Sequence, residues 1–118
     1  MCYEVIPTDQ FEKDIRYYIK RKRYRKIMDD IEPVLARLEE GIFLGDEISG
    51  LDFPENEHSY KVRVANTSAN VGKSNGFRII YYVIKDDKEI YLLTLYSKKD
   101  QTDISTQEIE SLIKLHCT

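Results

Sequence analysis

The sequence predicts an α+β fold in which two N-terminal helices pack on a small, mainly antiparallel sheet, in the order β-α-α-β-β-β-α. Three observations carry that expectation. Apolar residues recur at helical spacing between residues 9 and 40, and the period changes to two at Tyr60. Two β-branched and aromatic runs then follow one another across the short polar sequence Asp86-Asp87-Lys88.

Residues 3–6 read as a first strand ended by Pro7, with Thr8 as N-cap and Asp9 in the first turn of the next helix. Phe11, Ile15, Tyr18 and Ile19 share one face of that helix, the expected core side. The run from Lys20 to Lys26 reads as a solvated helix end or as an RNA-binding patch. A second helix carries Ile27, Ile31, Leu35 and Leu38 and stops at Gly41. Pro33 inside it should kink it or begin a new one, because proline removes a hydrogen bond and crowds the preceding turn. Residues 42–58, rich in acids with Gly45, Gly50 and Pro54, read as a surface connection. Residues 60–64 alternate as a strand, 66–76 form a polar loop, and 77–85 with 89–97 form a hairpin of central strands. Ser105 followed by Glu108 has capping-box spacing, and Ile109, Leu112 and Ile113 make an apolar stripe, so a helix follows.

The 118 residues suit one domain, 1–118, and 42% apolar with 33% charged residues suits a globule. No apolar run reaches the roughly 20 residues of a membrane span, and the N-terminus lacks a secretory signal pattern. A cytoplasmic protein is expected. Cys2 and Cys117 read as free thiols without metal-ligand spacing. The net charge of −3 hides strong segregation: residues 1–26 hold 8 basic and 4 acidic side chains, 27–57 hold 1 and 10, 58–99 hold 8 and 3, and 100–118 hold 1 and 4. Phosphate binding depends on such local excess of Lys and Arg, not on the total.

Strand alternation places Lys61 and Arg63 on one face. It sets Arg78 out of phase with Phe77 and Ile79, and puts Thr94, Tyr96 and Lys98 in phase. If Arg78 lies beside Tyr96, then Lys61, Arg63, Arg78, Tyr96, Lys98 and Lys99 form an exposed patch that Lys73 joins from the loop. Cations there would neutralise RNA phosphates and stabilise a pentacovalent transition state, and an aromatic ring offers a stacking surface. The plainer reading is a solvated sheet face whose charges discourage edge aggregation. Gly72-Lys73-Ser74 lacks the setting of a nucleotide-binding loop, and acid pairs such as Asp29-Asp30 and Asp86-Asp87 read as solvated. His58 precedes a strand and His116 ends a helix, poor positions for a base and an acid.

Taken in order, Gly45-Asp46 to Gly50-Leu51, Tyr60-Lys61-Val62-Arg63, residues 72–82 (GKSNGFRIIYY) and residues 90–99 (IYLLTLYSKK) resemble the RelE/HigB branch of bacterial type II toxin–antitoxin toxins, within the RelE/ParE superfamily. The resemblance covers about the last two thirds of the chain. It implies a RelE-like fold and a ribosome-dependent endoribonuclease that enters the decoding site and cleaves messenger RNA without metal or other cofactor, by helping the ribose 2′-OH attack the adjacent phosphate. It also implies a cognate antitoxin that masks the basic face, and operator DNA binding only indirectly, through that antitoxin. Matched by position, Arg63, Arg78 and Lys98 would be catalytic, while Lys61, Lys73 and Lys99 would bind RNA; Tyr96 joins the catalytic set as a substitute for the family's tyrosine and not as its match. No tyrosine follows Tyr96, where such toxins often carry a catalytic one. The base is then either Tyr96, its phenol acidified by the surrounding cations, or a lysine crowded by like charges. Two other readings stay open: a ParE-like toxin that inhibits DNA gyrase without RNase activity, and an inactive family member kept as a binding partner.

Overall fold

The computed structural model describes residues 2–117. Strand β1 (Glu4–Pro7) leads into helix α1 (Asp9–Lys20) and helix α2 (Ile27–Glu39). Strands β2 (Asp46–Glu47), β3 (Glu57–Val64), β4 (Phe77–Ile84) and β5 (Glu89–Ser97) follow, and helix α3 (Thr106–His116) comes last. The expected order therefore holds with one addition, the two-residue β2. Such a short element shows no period in sequence. Gly45, at φ +93°, leaves room for the chain to come alongside β3, since a Cβ there would stand 2.3 Å from the Lys61 carbonyl oxygen.

The five strands lie in the order β1-β5-β4-β3-β2. Only β1 runs parallel to its neighbour, β5, and the other pairs are antiparallel. Pro7 is the last residue of β1 and ends it as expected, a place an edge strand tolerates for proline. Thr8 caps α1 as expected, accepting from the Phe11 amide, and its hydroxyl also donates to the Leu92 carbonyl at 2.8 Å. That second bond ties the start of α1 to the sheet.

Helices α1 and α2 cover one face, where Phe11, Tyr18, Ile27, Ile31 and Leu38 meet Val62, Val64, Phe77, Ile79, Tyr81 and Leu92. The apolar spacing of both helices accounts for this, except that Ile19, at the end of α1, is 39% exposed. Pro33 neither ends α2 nor starts a new helix. It sits on the exposed side, as does Asp29, so water can meet the Asp29 carbonyl that lacks an amide partner. Helix α3 covers part of the opposite face through Ile109 and Ile113, packed with Ile80, Tyr82, Leu93 and Tyr96. Ser105 caps it, accepting from the Glu108 amide at 3.1 Å.

A bulge disturbs the β4–β5 register between Ile80 and Tyr81. Thr94 and Leu95 both bond to α1. The Asp14 carboxylate accepts from the Thr94 hydroxyl at 2.5 Å and from the Leu95 amide at 3.0 Å. The expected phase of Thr94 with Tyr96 holds, Thr94 pairing with Ile80 and Tyr96 with Arg78, because the bulge falls before them, at Leu93, which has no partner on β4.

Candidate nucleic-acid interface

The register sets Arg63 opposite Arg78 and Arg78 opposite Tyr96, the juxtaposition expected from alternation. Exposure along that row falls steeply. Arg63, on β3 near the sheet edge, is exposed, whereas Arg78 and Tyr96, on the central strands, are only 4% and 3% exposed. Strand β2 stops at Asp46, opposite Lys61, so Arg63 and Ala65 lie beyond its pairing. The sheet edge is open there.

Along that edge runs a groove of about 710 Å³, walled on one side by β3 and on the other by the exposed side of α2. Arg37, Lys61, Arg63 and Lys73 border it with Val34, Leu44 and Val64; Lys61 and Arg63 do so as residues of the β3 edge, because their side chains alternate with Val62 and Val64 and leave the sheet on the α3 side. Two acids share the lining, Asp30 and Asp46. Asp30 is already engaged, accepting from the Thr67 amide at 3.0 Å and the Thr67 hydroxyl at 2.8 Å. At the other side of Lys61, its ammonium lies 3.1 Å from the Asp103 carboxylate. The Ile104 amide chiefly, then Lys61 and Arg78, hold the Asp103 carboxyl below the usual carboxylate range.

Three of the seven residues expected from sequence, Lys61, Arg63 and Lys73, therefore border this open edge of the sheet. Lys98 and Lys99 do not line it; they follow β5 at the end of the sheet, where the Lys98 amide donates to the Gly76 carbonyl at 2.9 Å. Arg78 and Tyr96 lie beneath the surface, which corrects the expectation of an exposed patch. Alternation fixes which side a residue takes but not how deep its strand lies. The Arg78 guanidinium donates to the carbonyls of Lys73 at 2.9 Å, Ser74 at 2.9 Å and Phe77 at 3.3 Å. Burial, then the nearby Arg63 charge, lowers its pKa.

Tyr96 departs from expectation in the same way. Its hydroxyl has no hydrogen-bond partner among the described residues. Burial foremost, then Asp103, pushes the phenol up to about 12, outweighing the Arg78 charge that acts to lower it. A phenol so placed is a poor proton acceptor near neutral pH.

Arg37 was not visible as a site residue from sequence, although Asp30, Pro33, Val34 and Arg37 have the spacing of one helical face. What the sequence lacked was any sign that this face looks onto β3. The basic run after α1 forms an exposed loop, pinned by Tyr24 stacked on Tyr18 at 5.9 Å and by the Lys26 amide donating to Ser68 at 2.9 Å. His58 pairs instead with Glu47, at 2.7 Å.

Among the described residues, no group of three or more His, Cys, Asp or Glu side chains is placed to share a metal ion. No helix there is long and apolar enough to cross a membrane. No family model matches the sequence. The arrangement offers an open sheet edge bordered by Arg37, Lys61, Arg63 and Lys73, suited to a polyanion lying across it.

Proposed function

We propose that the chain is a cytoplasmic toxin of the RelE/HigB kind, an endoribonuclease that binds messenger RNA in the ribosomal decoding site through the β3-edge groove and stops translation. The observation that carries this reading is the gathering of Arg37, Lys61, Arg63 and Lys73 around one open sheet edge of a chain whose net charge is −3. In the proposed reaction a ribose 2′-oxygen attacks the adjacent phosphorus and the bond to the 5′-oxygen breaks. Negative charge accumulates on the phosphoryl oxygens at the transition state. Exposed guanidinium and ammonium groups fixed on a strand and a short turn favour that charge without reorganising. The role expected for Tyr96 as base has no support from its burial. A cognate antitoxin covering the groove would silence the activity by blocking phosphate access.

The test is brief expression followed by mapping of messenger 5′ ends. Cuts at fixed positions within codons, lost in the Arg63→Ala/Lys73→Ala variant while it stays folded, are expected. Growth arrest with intact messages and inhibited gyrase would instead establish the ParE-like reading. Neither arrest nor cleavage would leave an inactive binding partner.

A further inference from the structure

We infer that Arg78 is a positioning residue: it acts on RNA only through the turn it clamps, holding Lys73 in the groove, and does not itself touch phosphate. This rests on the RNA-binding reading above. The turn at Lys73–Asn75 is a single 3-10 turn with few bonds of its own, the Asn75 amide to the Gly72 carbonyl and the Gly76 amide to the Lys73 carbonyl. Such a short element needs outside support to hold one geometry. Arg78 gives it: one guanidinium nitrogen reaches the carbonyls of Lys73 and Phe77, and the other reaches that of Ser74. The planar fork thus grips two successive carbonyls of the turn at once. At the far end Gly76 is wedged in the sheet, where a Cβ would stand 2.1 Å from the Val64 carbonyl oxygen, and its own carbonyl accepts from the Lys98 amide. Between these anchors Lys73 stays exposed and borders the groove.

At 4% exposure, with both terminal nitrogens committed, Arg78 has no face to offer a phosphate unless the clamp opens. A lysine at this position keeps the charge but loses the fork, since a single ammonium cannot reproduce the planar two-nitrogen grip. The conservative exchange therefore separates charge from geometry.

Wild type, Lys73→Ala, Arg78→Lys and the double variant are compared in binding to a single-stranded RNA, with folding checked by circular dichroism, and in trypsin cleavage after Lys73. Expected are a loss of about fivefold in affinity for each single variant and no more than about a further twofold for the double, because residues acting through one contact are not additive. Cleavage after Lys73 should be at least ~10-fold faster in Arg78→Lys, as opening of the turn becomes cheaper. Retention of wild-type affinity by Arg78→Lys, or multiplication of the two losses, would overturn the inference. If Arg78→Lys does not fold, guanidinium NMR of the wild type decides: on RNA addition the Arg63 and Arg37 signals should shift and those of Arg78 should stay, and a shift of Arg78 comparable to Arg63 overturns it. Absence of RNA binding by the wild type removes the RNA reading and this role together. The trypsin comparison then judges the clamp alone, with an unchanged cleavage rate overturning it.

Discussion

Arg63 and Arg78 stand opposite each other on neighbouring strands, yet one is exposed at the sheet edge and the other is buried at its centre. The same side chain at the same level of the sheet thus serves two ends. At the edge, where β2 has stopped, the guanidinium keeps its water and remains available to an incoming anion. At the centre it has exchanged water for three carbonyl groups and has become part of the loop's architecture. A cation solvated by backbone carbonyls inside a protein is a structural group first, because removing it leaves those acceptors unpaired. Site residues chosen by charge alone need this distinction between an available cation and a committed one.

Substitutions in both regions, read as changes in stability, should separate the two roles. The centre should respond most. Phe77→Ala, removing a ring with no exposed surface, should cost about 3–5 kcal/mol in denaturant unfolding. Arg78→Ala should cost about 2–3 kcal/mol, since several charge-assisted bonds to carbonyls disappear together. A cost near zero would mean that the clamp is not formed in solution. Tyr96→Phe should stabilise by about 1 kcal/mol, because it deletes a buried hydroxyl without a partner, and it should leave messenger cleavage intact. Loss of cleavage with a higher Tm would restore the phenol to the chemistry. At the edge, Arg63→Ala should change stability by less than about 0.5 kcal/mol.

The smallest effect concerns acid. The folded-state pKa of Asp103 is lowered, so its contribution to stability is present above the unfolded value and fades as pH falls through the lowered folded one. The Asp103 carboxylate is mostly exposed and its Lys61 partner partly so, which keeps the contribution small. Wild type should lose slightly more stability than Asp103→Asn on acidification below about pH 4, and parallel acid titrations of the two would show it. Identical titrations would mean that the Lys61 contact is too screened to matter.

Much of the fold was legible because period and capping speak plainly. Thr8 and Ser105 marked helix starts that the structure bears out, and the hairpin across Asp86-Asp87-Lys88 followed from two apolar runs. Strand β2 was not legible, since two residues carry no period. The bulge was hidden too, because the nearly continuous apolar run from Ile90 to Leu95 does not mark which residue goes unpaired. In the candidate site, Lys61 and Arg63 were readable from alternation alone. The burial of Arg78 and Tyr96 was not: it depends on β4 and β5 lying at the centre of the sheet and on α3 covering Tyr96. Arg37 stayed hidden for the converse reason, since a helix face shows its own spacing but not what it looks onto.

Whether the edge cations touch RNA phosphates is decided by the affinity for a single-stranded RNA measured over a range of salt concentrations. Each phosphate contact on a single strand contributes about 0.7 to the slope of log K against log salt. The Arg63→Ala/Lys73→Ala variant should bind more weakly, with a slope shallower than wild type by about 1.4, because two phosphates are no longer neutralised. An unchanged slope, or a wild type whose binding does not depend on salt, would contradict the assignment of these cations to RNA.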